Sequence, residues 1–407
     1  MKNECLPWKT YLGQEVTAKI AKGASPRWQG FEYQKEGILF ITSENVRDGF
    51  LNISEPKFLP LAFHKKQKNS QLLSGDVLVN IVGASIGRSC IYRGQYGQAN
   101  VNQAVCILRP NEKTLSEYLL YYFQAPGNLK KLLGEQAATA RPNLSLAHFR
   151  KFTIHLPEKS EQQIIVNILA SWDVAIEKAG RLIEEKNKRL RWLTCKLILD
   201  PAARMGSYKQ VKICDISDRV QRTSDGVSYP ILTIASASGF VLQEVKYSRF
   251  MAGKSLEDYI LLKEDEFAYN KGNSLRYQFG CVFQLKNYKA ALVPHVYVCF
   301  KLHSDVDASY LGHVFDADYL KRQLGSLVNT GVRNNGLLNI RPDDFMEVTV
   351  PIPPVDVQKR IAATLNTARY EIDLIRKQVE AYRKQKRSLM QKLLTGEWRV
   401  KSFREKC

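Results

Sequence analysis

The sequence predicts an α/β chain, of the α+β kind, in which two similar globular modules alternate with two long helices. Three observations carry that expectation: a helical stripe that occurs twice, a repeat that continues upstream of each stripe, and strand-like runs ahead of short amphipathic segments in each repeat. The first stripe reads Leu169, Trp172, Ile176, Ala179, Ile183, Lys186, Leu190, Leu193, Leu197, and the second Leu365, Ala368, Ile372, Ile375, Val379, Tyr382, Lys386, Leu389, Leu393. Each position follows its counterpart by 196 residues. Steps alternating three and four over about four heptads form the seam of a left-handed coiled coil, so the two helices can zip together.

Within each module the elements follow in order. Gly37 to Ile41, Val77 to Val82 and Val101 to Leu108 read as buried strands, and Leu115 to Gln124 and Tyr310 to Val328 as amphipathic helices placed late in the modules. Gly75 to Asn80 lies opposite Asp265 to Asn270, and Ala99 to Gln103 opposite Ala291 to His295, at offsets of 190 and 192. Offsets that drift while the order holds are what loop-length differences between two copies of one fold produce. Asn143 to Phe149 and Asn339 to Phe345 return to 196, and the strands after them, Thr153 to Pro157 and Thr349 to Pro353, end in proline just before a helix that carries Gln162 or Gln358 in its opening turns. Pro201 to Lys209, with its Pro, Gly and Ser, is the natural linker into the second module.

At 407 residues the chain has room for two to three domains, and 44% hydrophobic with 25% charged residues is globular composition rather than disorder. Its net charge is +20, with +10 on residues 1–200 and +10 on residues 201–407, and its pI is near 9.5. Both halves favour a polyanionic partner, because lysines and arginines that neutralise phosphates release condensed counterions. No run approaches 18 consecutive apolar residues and the N-terminus has no apolar signal core, so a soluble intracellular protein is expected. The eight cysteines are scattered without a CxxC pair and read as reduced core thiols, which argues against a disulfide framework or a metal site.

Catalytic signatures are missing. There is no GxxxxGK[ST] loop, no GxGxxG, no HExxH, no [DN]PP[YF] element and no carboxylate-carboxylate-lysine set. What remains is polar clusters on loops. Gly83 to Arg88 is a tight turn between strands whose small residues let the backbone approach a phosphate, with Ser85 and Arg88 as donors. Arg27, Arg47, Lys65, Lys66 and Lys68 join it in the first module; Lys271, Asn273, Ser274, Arg276, Arg333 and Asn334 are the candidates in the second. Arginine and asparagine can read guanine and adenine edges, and lysine serves phosphates. A single basic loop is most simply a solvated one; several in both copies shift the balance toward contact.

The duplicated order, the Asn143 to Phe149 and Asn339 to Phe345 elements, the proline-terminated strands and the glutamine-bearing helix starts together resemble the DNA-specificity subunit of type I restriction-modification systems. The resemblance runs from about residue 10 to Trp398. It implies residues 1–157 as target recognition domain 1, 158–200 as spacer helix 1, 201–353 as target recognition domain 2, 354–398 as spacer helix 2 and 399–407 as a tail. The helices would pair antiparallel along Leu169, Trp172, Ile176, Ile183, Leu190 and Leu193 on one side and Ile372, Ile375, Val379, Tyr382, Leu389 and Leu393 on the other. It further implies a non-catalytic subunit in a prokaryotic cytoplasm that reads a bipartite DNA site. Its partners would be two modification subunits and the restriction subunits, and S-adenosylmethionine, ATP and Mg would sit on those partners, with no cofactor or metal on this chain. A stand-alone methyltransferase or nuclease with diverged motifs, and a scaffold that binds only protein, are the competing readings.

Overall fold

The computed structural model describes residues 8–134, 143–200, 208–246, 257–272, 274–328 and 338–400. Two compact units emerge: Met1–Gly180 together with Lys377–Cys407, and Arg181–Arg376. The long helices Lys159–Thr194 and Val355–Leu394 therefore each contribute one half to each unit.

The first unit contains β1 (Lys9–Leu12), β2 (Thr17–Lys22), β3 (Ile38–Ile41), β4 (Phe58–Leu59), β5 (Asp76–Asn80), β6 (Ser89–Tyr92), β7 (Ala99–Val101), β8 (Val105–Pro110) and β9 (Thr153–Leu156). An antiparallel sheet of order β2-β8-β5-β6 lies at its centre, beside a mixed sheet β4-β3-β7 and the pair β1-β9. Alternate side chains of a strand face opposite ways, and β5 uses both faces. Val77 and Val79 join a core made with helix Ser116–Gln124 and the long helices, while Leu78 packs with Leu39, Ile41, Val101 and Ile107 under the second sheet.

The second unit repeats this plan with β10 (Lys209–Lys212), β11 (Ser217–Val220), β12 (Leu232–Ala235), β13 (Gly239–Leu242), β14 (Ile260–Lys263), β15 (Phe267–Asn270), β16 (Cys281–Gln284), β17 (Ala290–Val293), β18 (Val298–Leu302) and β19 (Thr349–Ile352). The order β11-β18-β15-β16 matches β2-β8-β5-β6, and β10-β19 matches β1-β9. Phe267 and Tyr269 face the helices, and Ala268 faces the layer holding Leu232, Leu262 and Val293.

Two expected elements divide. The run Val101 to Leu108 is two strands in different sheets, because Asn102 turns the chain by accepting the Ala104 N–H on Oδ1 (3.0 Å) and the Val105 N–H on its carbonyl (3.3 Å). The segment Tyr310 to Val328 is two helices, Ala308–Asp316 and Lys321–Leu327, parted at Asp318, whose φ of 55° no α-helix accommodates. Cysteines 90, 106, 281 and 299 are buried free thiols, whereas Cys195 is exposed and Cys214 half-buried on helical turns near the ends of their elements, so these two are not core thiols. Most of the expected linker, residues 201–207, lies outside the described residues, and its last residue, Lys209, opens β10.

The same side chain anchors each long helix to its module. Gln162 and Gln358 are buried. Gln162 Nε2 donates to the carbonyls of Pro157 and Lys113 (both 2.9 Å), and its Oε1 accepts the Leu115 N–H (2.9 Å). Gln358 Nε2 donates to the Pro353 carbonyl (2.9 Å), and its Oε1 accepts the Asp307 N–H (2.8 Å). An amide in that place ties the proline-terminated strand, the loop before the module's late helices and the long helix into one joint.

Seam positions of both helices are buried or half-buried throughout, and the charged residues Lys178, Arg181, Glu184, Lys188, Lys377, Arg383 and Arg387 are exposed. In the first unit Trp172 meets Tyr382 edge-on at 5.7 Å, and Lys386 Nζ lies 2.5 Å from Asp173 Oδ1, while Tyr121 of the module donates to the other Asp173 oxygen (2.7 Å). Farther down, Glu161 pairs with Arg399, so the second helix ascends as the first descends. In the second unit Lys186 Nζ reaches Glu371 (2.6 Å), and Leu190, Leu193 and Leu197 pack around Ile361 and Leu365. The lysines that interrupt the apolar stripe thus each meet a carboxylate across the seam, which favours this antiparallel register over others.

Removing either anchoring amide leaves buried backbone groups unpaired, so Gln162→Ala and Gln358→Ala should each destabilise the chain by about 2 kcal/mol or more in denaturant unfolding. His313 is buried. Its Nε2 donates to Asn366 Oδ1 (2.9 Å), because the Asn366 amide nitrogen is committed to Ser309, and burial with Arg369 nearby pushes its pKa down to about 4. The unfolded imidazole takes up a proton near pH 6.5 and the folded one does not, so stability is lost as pH falls from 6.5 toward 4, by about 3 kcal/mol in total. His313→Gln should flatten the pH dependence of unfolding in that window.

Candidate nucleic-acid interface

The loop candidates of the first module form two patches. One begins at a short turn, Arg27–Gln29, that follows buried Pro26. Its backbone is closed by Gln29 N–H and Phe31 N–H, both donating to the Pro26 carbonyl (2.9 and 3.0 Å). Helix Leu61–Lys66 is clamped to this turn: Gln67 Nε2 donates to Gln29 Oε1 (3.0 Å) and Lys66 Nζ to the Gln29 carbonyl (3.5 Å). The helix itself is held from below by His64, whose Nδ1 lies 2.6 Å from Asn100 Oδ1, and by Phe63, which packs against Phe40 and Phe31. Arg27, Lys65, Lys66 and Lys68, far apart in sequence, share this surface and are exposed.

The second patch joins the loop after β3 to the turn after β5. Asn45 shapes the former, accepting the Thr42 N–H (2.8 Å) and donating to the Asn52 carbonyl (2.9 Å), and the Gly49 N–H donates to the Ser89 carbonyl (2.8 Å). Buried Asn80 then donates to the Ser43 carbonyl (2.8 Å) and to Ser85 Oγ (3.1 Å). Arg47 and Arg88 are half-buried on this surface beside exposed Phe50. Gly87 has φ of 84°, a conformation that residues with a Cβ rarely adopt, so the turn requires glycine. Ser85 accepts from Asn80 while its own hydroxyl proton stays available to a ligand. The first patch is held through Phe40 and Asn100 and the second through Asn80 and Ser89, so the candidates fall into two groups rather than one.

In the second module the turn after β15 replaces the turn after β5. Asn270, the counterpart of Asn80, accepts the Gly272 N–H on Oδ1 (3.0 Å). Ser274 closes a tight loop with Tyr277, its N–H donating to the Tyr277 carbonyl (2.9 Å) and its Oγ accepting the Tyr277 N–H (3.0 Å). Leu275 and Arg276 are thereby exposed, and the Arg276 guanidinium lies 5.1 Å from the Tyr277 ring. Lys271 is half-buried, and burial beside Arg219 lowers its pKa. Asn273, Arg333 and Asn334 lie outside the described residues.

Charge pairing separates structural cations from available ones. Arg109 forks onto buried Asp76 (2.7 and 2.8 Å), which also accepts the Leu73 N–H, and Arg222 donates through one terminal nitrogen to buried Glu266, which accepts the Lys263 N–H. Among the described residues, no carboxylate lies within ion-pair distance of Arg27, Arg47, Lys65, Lys66, Lys68, Arg88, Lys271 or Arg276 (salt-bridge partners are confined to other residues). The described residues hold no cluster of metal-ligating side chains and no helix long and apolar enough to cross a membrane. Sequence reasoning passed over Asn80 and Asn270 as organisers of these turns. Their signal was present, since the 190-residue alignment places one asparagine on the other.

Residues 8–185 match the family described as type I restriction modification DNA specificity domain. Two specificity subunits of Methanocaldococcus jannaschii type I restriction enzymes, MjaVIII and MjaIX, align over 95% of this chain and 92% of their own length at 23% and 22% identity. Among solved structures, a chain of a type I restriction-modification assembly superposes with a TM-score of 0.61 at 12% identity, covering 96% of this chain and 98% of that one. The S subunit from M. genitalium superposes with a TM-score of 0.53 at 14% identity, covering 97% and 98%. The fold is thus that of these two-module, long-helix proteins, and residues 8–185 carry the likeness to the type I restriction modification DNA specificity domain.

Proposed function

We propose that this chain is the non-catalytic DNA-reading subunit of a type I restriction-modification complex, in which each module reads one half of a split, asymmetric site. The observation that carries this reading is a difference set in a repeat. After equivalent strands the two copies of one fold carry unlike turns, Gly83 to Arg88 in the first and Ser274 to Tyr277 in the second, each closed by its own hydrogen bonds, with cations beside them that have no carboxylate within ion-pair distance among the described residues. Identical readers would recognise a palindrome; unlike ones recognise two different half-sites.

The long helices would set the spacing between half-sites. A helix of 36 residues spans about 54 Å at 1.5 Å per residue. They would also recruit the two modification subunits. An apolar groove of about 550 Å³ beside the seam, walled by Trp172, Ala381, Leu389 and Trp398, and the exposed Trp192 are the kind of surface such docking uses. S-adenosylmethionine would then act on the modification subunits, and ATP and Mg on the restriction subunits.

Two outcomes test the reading. The purified chain with S-adenosylmethionine and DNA should transfer no methyl group, and adding the cognate modification subunit should produce adenine methylation; transfer by the chain alone would overturn it. Arg88→Ala should weaken binding to all DNA sequences alike and lower the slope of log K against log salt by about 1, the signature of one lost phosphate contact, measured by fluorescence anisotropy.

A further inference from the structure

The patch built on the Arg27–Gln29 turn carries a side chain that phosphate contact does not explain. Trp28 is 89% exposed. A solitary exposed hydrophobe needs no explanation, but this one is held out by construction. The turn is closed by the two bonds to the Pro26 carbonyl and by the Gly30 N–H donating to Arg27 (3.1 Å), with Gly30 at φ 79° ending it. Phe31, three residues on, does enter an apolar pocket and meets Phe63 edge-on at 5.4 Å. An interior was within reach, and the turn sends Phe31 in and Trp28 out.

Its neighbours define what it could meet. The clamps from Gln67 and Lys66 to Gln29 bring the lysine-bearing helix against the same turn, so the indole projects from a surface of Arg27, Lys65, Lys66 and Lys68. Cations around an aromatic face match one polyanion, in which phosphates flank stacked π-faces; apolar protein surface would leave the four charges without partners. The corresponding loop of the second module, between β11 and β12, offers no exposed aromatic. Its Tyr229 is half-buried and donates its hydroxyl to Asp225 (3.1 Å).

We propose that Trp28 is an aromatic wedge that packs into the base stack of duplex DNA at the first module's half-site, with Lys65, Lys66 and Lys68 holding the phosphates beside it. The wedge rests on the DNA-reading function proposed above. Partial unstacking at one base step would make the first half-site sensitive to the stiffness of that step, a source of sequence preference at positions no polar side chain touches.

The test uses the full-length chain and a duplex that it selects from a random 40-base-pair pool. Saturating DNA should quench indole emission in the native chain, and the quench should be largely absent in Trp28→Phe, which retains a ring able to stack. Trp28→Ala should bind about tenfold more weakly with an unchanged salt slope and unfolding midpoint, whereas Lys66→Ala should lower the slope. Thymines at one step should become permanganate-sensitive with the native chain and not with Trp28→Ala. If Trp28→Ala binds the selected duplex as tightly as the native chain, or loses affinity only together with salt slope, the wedge is wrong and the DNA-reading function stands. If the chain selects no duplex at all, both fall.

Discussion

Neither module completes its core from its own segment of sequence, and that constraint governs the rest of the structure. The first core contains Ile165, Val166 and Leu169 from the helix that leaves the module, and also Met390, Leu393 and Leu394 from a helix more than 200 residues away. The second contains Ile361, Ala362 and Leu365 from the departing helix and Ile198 with Leu193 and Leu197 from the earlier one. Burying three leucine-sized side chains contributes about 5 to 8 kcal/mol, comparable to the whole net stability of a domain. Antiparallel pairing is thus the condition under which each core closes, beyond any stability it adds to the helices themselves.

That constraint explains which features the two copies share. The buried glutamine at each helix start and the tyrosine whose hydroxyl donates to the final strand (Tyr118 to His155, Tyr310 to Pro351) lie where strand, module helix and long helix meet, and on the other face of the central sheet each copy keeps a buried carboxylate that accepts a backbone N–H and an arginine (Asp76, Glu266). The acid side chain changes length and its arginine changes position, from Arg109 on β8 to Arg222 after β11, yet both carboxylates stand at the start of equivalent strands. Selection for a joint preserves the bond pattern, and the residues that make it can drift.

The seam, the repeat and the late helices were legible in the sequence because they are periodic or duplicated, and periodicity survives without knowledge of contacts. Breaks in elements were less legible. Nothing in the composition of Val101 to Leu108 announces that Asn102 turns the strand into another sheet, since an asparagine inside an apolar run marks a turn only when its amide finds the right backbone groups. The loop candidates were found by residue type, but their grouping was not. Arg27 and Lys66 are neighbours through Gln29 and Gln67, and Arg47 and Arg88 through Asn80 and the Gly49 to Ser89 bond, and such long-range amide contacts leave no periodic trace.

The division of charge completes the physical picture. In each module one arginine beside the central sheet, Arg109 or Arg222, meets a buried carboxylate, because that carboxylate left unpaired would cost several kcal/mol. At the loop tips the opposite holds: among the described residues, cations there have no carboxylate within ion-pair distance and stand on turns closed by glycine, asparagine and serine. Leaving them unpaired costs little in water and keeps them free to exchange hydration for phosphate, and the rigid turns limit the entropy lost when they do so. Pairing those cations internally would stabilise the chain slightly and, on the proposed function, remove its means of holding a polyanion. Their distribution is therefore what the proposed DNA-reading function requires and what folding alone does not.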